Sequence, residues 1–172
     1  MGKFSNLRPA YGNYTKEINR ISLLADDLWD KGKLKQAFEL FQKAANMGDS
    51  TGMFNLGYFY DLGIHVRKDK DLAIYWYKKA LHNNDIAAAN NIAIIHKEQK
   101  DWKKALWWFH KAAAQGDGDA FYQIAMIYHK GNGVKKNISK AKMYYRQTVG
   151  SFYVTEDTAE KAEKILKKLQ KK

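Results

Sequence analysis

The chain has no cysteine among its 172 residues, which excludes disulfides, thiolate metal sites and a cysteine nucleophile. Proline is nearly as scarce. Pro9 stands alone, so nothing beyond it removes a backbone donor or breaks a helix by ring closure. No apolar run reaches the roughly 18 residues of a membrane-spanning helix, and the first nine residues lack the apolar stretch of a secretory signal. The expectation is a cytoplasmic chain without a membrane span. Arginine is confined to Arg8, Arg20, Arg67 and Arg146. Catalytic constellations are missing as well. His65, His82, His96, His110 and His129 show no His-Glu-x-x-His spacing, and Gly131-Asn-Gly133 lacks the lysine and hydroxyl ending of a phosphate loop. Neither a metal, a cofactor nor an enzymatic activity is expected.

What is present is a globular composition, 45% hydrophobic and 28% charged, of a length that suits one domain or one short solenoid. The net charge is +12, and the last third carries more than its share of lysine. A basic end of this kind attracts acidic partners and speeds their association. The blander reading, a lysine-rich solubilising surface, fits the same numbers.

Four segments place an alanine among aromatic and basic residues: Ala37-Phe-Glu-Leu-Phe, Ala73-Ile-Tyr-Trp-Tyr, Ala105-Leu-Trp-Trp-Phe and Ala141-Lys-Met-Tyr-Tyr. A second signature precedes each one: Leu24-Ala25, Leu56-Gly57, Ile92-Ala93 and Ile124-Ala125. From Ala37, Ala73 and Ala105 to the next pair the distance is always 19 residues. Within a unit it is either 13 or 17. A fixed junction with a variable internal turn is the mark of stacked helical hairpins. The long units carry Leu56, Gly57 and Tyr60 on one face, then a glycine-containing turn, then Ala73, Trp76 and Tyr77; Ile124, Ala125, Tyr128, Ala141, Tyr144 and Tyr145 repeat that order. Val66 and Val134 are expected to plug the turns, and His96 to be an interior histidine.

The run Leu56-Gly-x-x-Tyr…Val66-x-x-Asp69-x-x-x-Ala73-x-x-Trp76-Tyr-x-Lys-Ala80 resembles a Sel1-like repeat, and the short units resemble tetratricopeptide repeats. The resemblance implies an all-α, right-handed solenoid of about four helix-turn-helix repeats. The expected layout is an irregular segment over 1–16, repeats over about 17–50, 51–86, 87–118 and 119–154, and a capping helix over 155–172. In that helix Ala159, Ala162, Ile165, Leu166 and Leu169 form one apolar stripe. Acidic residues stand at its start and lysines at its end, complementing the helix dipole.

In such a stack the first helices line a concave groove. The expected partner-binding residues are Phe54, Asn55 and Tyr58; Asn90, Asn91 and Ile94; and Tyr122, Gln123, Met126 and His129. Asn55, Asn91 and Gln123 form a row of primary amides, which offer donor and acceptor together to an extended peptide. The resemblance implies backbone contact for Asn55 and Asn91, and by extension for Gln123. Tyr75 and Trp107 make a second candidate patch on the convex side. The function expected is a monomeric scaffold or adaptor for a protein or peptide partner with an acidic surface, with toxin inhibition by an immunity protein as a narrower form. Nucleic-acid binding is the alternative, using lysine on phosphate and aromatic stacking on bases; the scarcity of arginine and the interleaved acids weigh against it.

Overall fold

Five of the helix starts among the described residues are set by side-chain caps. Asp49, Asp69, Asp101, Asp117 and Asn137 each accept a hydrogen bond from the backbone N–H three residues on, satisfying a donor that the helix itself cannot. The computed structural model describes residues 8–83, 85 and 87–170. Among these are nine helices: α1 (Arg8–Asp30), α2 (Leu34–Asn46), α3 (Ser50–Leu62), α4 (Lys70–His82), α5 (Ala88–Glu98), α6 (Trp102–Ala114), α7 (Gly118–Lys130), α8 (Ile138–Val149) and α9 (Glu156–Gln170). No strand occurs among the described residues; an isolated parallel bridge joins Asp117 to Tyr153.

The two internal spacings are the two turn lengths. Gly63–Asp69 and Gly131–Asn137 connect the long hairpins α3/α4 and α7/α8, while Lys31–Lys33 and Gln99–Asp101 connect α1/α2 and α5/α6. Gly63 and Gly131 leave their helices in the left-handed region, at φ 74° and 77°, a conformation that a side chain opposes. Val66 and Val134 are half-buried under these turns.

The chain divides into two compact units, residues 1–85 and 86–172. In the first, α1/α2 packs on α3/α4 through Phe41, Phe59 and Tyr77, all buried. Trp29 meets Phe59 edge-on at 5.0 Å and Phe38 meets it at 5.2 Å. Leu56 and Gly57 are buried as expected. A Cβ on Gly57 would stand 2.6 Å from the Tyr77 ring, so the absence of a side chain is what lets α3 and α4 approach. The corresponding slot of the second unit holds Ala125 beside Tyr145.

In the second unit Ile92, Ile95, Phe109, Ile124, Ile127 and Tyr145 are buried between α5/α6 and α7/α8. There α9 closes the core: Ala162 is buried with Ala125, Ala141 and Tyr145, and Ile165, Leu166 and Leu169 pack around them. The exposed ion pairs of Lys161, Lys164 and Lys167 with carboxylates one turn earlier add little beyond that burial.

Two expectations need correction. Residues 8–16, read as irregular, belong to α1; Pro9 falls in the first turn, where its missing N–H costs nothing. Residues 1–7 lie outside the described residues. Leu24, read as the counterpart of Leu56, is 49% exposed, whereas Ala25 beside it is buried. No described helix covers that side of α1.

Candidate partner-binding site

The expected groove residues meet different fates. In the first unit Phe54 leans on Tyr77 at 5.5 Å and Tyr58 on Trp29 at 5.8 Å, leaving both half-buried. The Asn55 Nδ2 donates to Thr51 O at 3.1 Å, one turn back, so its donor is turned to its own helix. Asp61 is buried and paired with Lys70, and takes no part in an open surface.

In the second unit α5 and α7 lie side by side in the same direction. Asn91 shares a cleft with Asp119, and further along Lys97 Nζ donates to Gln123 Oε1 at 3.0 Å. Gln123 thus spends its carbonyl on a neighbouring lysine. Burial, together with Lys130, holds the Lys97 ammonium below its usual range against the opposing pull of Glu98. Ile94 is half-buried between these points.

Tyr122, Met126 and His129 do not line an open groove in the way expected. Tyr122 and Met126 pack on the cluster that α9 completes. The Tyr145 hydroxyl donates to Met126 Sδ at 3.0 Å, and His129 Nδ1 lies 3.1 Å from the same oxygen. Desolvation first, then Lys136 and Lys130, depress the His129 imidazole. Helix α9 takes up part of the surface that the sequence assigned to a ligand.

An open cleft lies at the other end of the two helices. A cleft of about 400 Å³ is lined by Ala87, Asn90 and Asn91, by Gln115–Asp117 and Asp119, and by Tyr153–Thr155. The segment from Ser151 to Thr155 forms one wall, held as a strap along the start of α7. Gly118 N donates to Tyr153 O at 2.6 Å, Ser151 Oγ to Gly116 O at 3.3 Å, and Thr155 Oγ1 to Asp119 Oδ1 at 3.0 Å. Asn90 Oδ1 is sealed from solvent and has no hydrogen-bond partner, a cost that a bound donor would relieve. Burial raises the Asp117 carboxyl, and Asp119 adds to it, although the N–H groups of Ala120 and Asp119 act the other way.

Of the residues that line this cleft, Asn90 and Asn91 were expected at a site from the sequence, whereas the carboxylates and the strap were not. Residues 151–155 carry no periodicity, and Asp117 reads as an ordinary helix cap. Of the two residues expected on the convex side, Tyr75 is 47% exposed in the first unit and Trp107 57% exposed in the second. Each stands edge-on to its neighbouring tryptophan with a lysine over the rings, Lys79 and Lys111.

A family model for the Sel1 repeat matches residues 31–49, 50–85, 97–117 and 119–148, more than half of the chain. The chain belongs to the Sel1 repeat family. The second and fourth matches coincide with the long hairpins α3/α4 and α7/α8. The crystal structure of a Sel1 repeat protein from Oxalobacter formigenes superposes with a TM-score of 0.73 at 30% identity, covering 88% of this chain and 62% of that one. A protective antigen of uropathogenic Escherichia coli with an SLR fold gives 0.65 at 30% identity, covering 77% and 30%. Among curated proteins, an F-box protein of Arabidopsis thaliana is 30% identical over 98 residues, which is 54% of this chain and 27% of that protein. A chitin synthase regulator of Saccharomyces cerevisiae is 39% identical over 57 residues, 33% and 8%. The chain therefore spans under a third of those two relatives. Sel1 repeats act as protein–protein interaction modules, typically as non-catalytic scaffolds. Among the described residues no helix is long and apolar enough to cross a membrane.

Proposed function

We propose that this Sel1 repeat chain binds a segment of a partner protein on the second unit, with the cleft between α5, the α6–α7 turn and the 151–155 strap as its seat. The observation that carries the reading is Asn90 Oδ1, a buried acceptor without a donor at the edge of a cleft that Asn91 also lines. A primary amide supplies both hydrogen-bonding roles to an extended backbone, and the strap offers the apolar sides of Tyr153 and Val154 to a side chain. The first-unit residues Phe54, Asn55 and Tyr58 are secondary in this scheme, since each already spends its contacts on its own unit. Inhibition of a toxin, as an immunity protein achieves it, is one form such binding takes, and protection of cells on co-expression is its test.

A photo-crosslinking amino acid at position 91 tests the site. The reading expects a partner to be captured from position 91 and not from position 103, on an exposed part of α6. Capture from position 75 or 107 alone would move the interface to the outer helices and overturn it.

A further inference from the structure

The residues that line the cleft have an unusual electrostatic character for this chain. With 30 lysines and arginines in the sequence, none of the described residues that line the cleft is basic, while Asp117 and Asp119 are both among them. Both carboxylates are half-buried, and among the described residues their hydrogen bonds come from neutral donors: the N–H groups of Ala120 and Asp119 on Asp117, and the Thr155 hydroxyl on Asp119 Oδ1. A half-buried carboxylate without a counter-charge is a cost to the folded state that a bound cation removes. The shift of Asp117 toward its neutral form has the same origin.

We infer that the cleft is a pocket for an arginine side chain of the partner. This rests on the docking reading above and names the chemistry recognised there. A guanidinium presents five donors in a flat fork. The cleft lining offers two carboxylates and the primary amides of Asn90, Asn91 and Gln115 as acceptors. The unpartnered Asn90 Oδ1 takes one of those donors after a small rotation of its amide. Tyr153 supplies an aromatic face for the guanidinium plane, and Ala87 and Val154 give apolar surface for the methylene stem. A volume of about 400 Å³ accommodates such a side chain whole. A bare metal ion fits less well: among the described residues no group of three or more histidines and carboxylates converges, whereas a hard cation such as calcium takes six to eight oxygens, roughly.

The pocket gives the site a polarity. Its acidic end lies at the start of α5 and α7, and Lys97 and Lys130 lie toward their ends. A bound segment therefore sets its arginine at Asp117 and Asp119 and any carboxylate toward Lys97.

The test is an amide NMR titration of the intact chain with ethylguanidinium, with butylammonium and 1-butanol as comparators. Saturable shifts are expected at Asn91, Gly116, Asp119 and Tyr153 for ethylguanidinium, weaker ones for butylammonium and none for butanol. Asp117→Asn with Asp119→Asn should weaken ethylguanidinium by about tenfold, the size expected for losing a charge-assisted contact. Asparagine caps a helix about as well as aspartate, so α7 should survive; if the double variant unfolds, Asp119→Asn alone should still weaken binding. Absent shifts, equal binding by the folded variants, or butanol matching ethylguanidinium would each overturn the inference. The crosslinking result stands apart. Capture at position 91 without ethylguanidinium binding removes only the arginine pocket, and ethylguanidinium binding without capture removes only the partner reading.

Discussion

Gly118→Ala should loosen the strap that walls the cleft. Gly118 opens α7, and its N–H donates to Tyr153 O at 2.6 Å. A Cβ there would stand 2.6 Å from both Tyr153 O and Val154 Cβ and 2.7 Å from Ser151 Oγ, closer than real contacts allow. The neighbours include backbone, so the strap as a whole must shift. Two hydrogen bonds go with it, Gly118 to Tyr153 and Ser151 to Gly116, worth about 0.5–1.5 kcal/mol each. The gain in helix propensity from glycine to alanine offsets at most about 1 kcal/mol, and less in a first turn. The net is a loss of about 1–2 kcal/mol, or roughly 2–8 °C in Tm for a chain of this size. Amide exchange gives a sharper readout. A first-turn N–H has no acceptor within its own helix, so protection at position 118 reports Tyr153 O directly. Fast exchange at position 118 of the variant, with a lowered Tm, is the expected result. Retained protection with an unchanged Tm would refute the strap as described.

Removing the cap in Asp49→Ala should cost about 1–2 kcal/mol in urea unfolding, because Asp49 Oδ2 serves both Gly52 N at 2.7 Å and Ser22 Oγ at 2.8 Å; a loss below about 0.5 kcal/mol would contradict that dual role. Gly57→Ala should destabilise, since overpacking against the Tyr77 ring costs about 1–3 kcal/mol against roughly 1 kcal/mol of helix gain; a stabilised variant would show that the ring yields freely. Stability should also fall as pH drops through 6.5. The folded His129 pKa lies below that unfolded value, so the unfolded state takes up its proton first and gains on the native state until the folded pKa is passed. His129→Gln should lessen the loss of Tm between about pH 7.5 and 5, and identical slopes for both proteins would place the titration elsewhere.

The hairpin architecture was legible because it rests on periodicity. The constant 19-residue junction marks where α2 meets α3 and where α6 meets α7, and the 13- and 17-residue distances are the two turn lengths. Gly57 could be read as a point of close approach, and Tyr77 confirms it. The apolar stripe of α9 predicted a capping helix, and the structure seats it against Ala125 and Tyr145. Its consequence was less visible: a helix that covers the end of the stack also engages Tyr122 and Met126, which one repeat read alone presents as open. Only part of the cleft lining was legible. Asn90 and Asn91 are placed together on one face by helical spacing and both line the cleft, but Asp117, Asp119 and the strap come together through irregular backbone bonds, Gly118 to Tyr153 above all, which leave no pattern in sequence.

Hydrogen–deuterium exchange of the chain alone and with its captured partner tests the central claim most directly. The account predicts new protection over residues 87–91, 115–119 and 151–155, with little change around Tyr75 and Trp107. Protection confined to α4 and α6 near those two exposed rings, with the cleft unchanged, would contradict it.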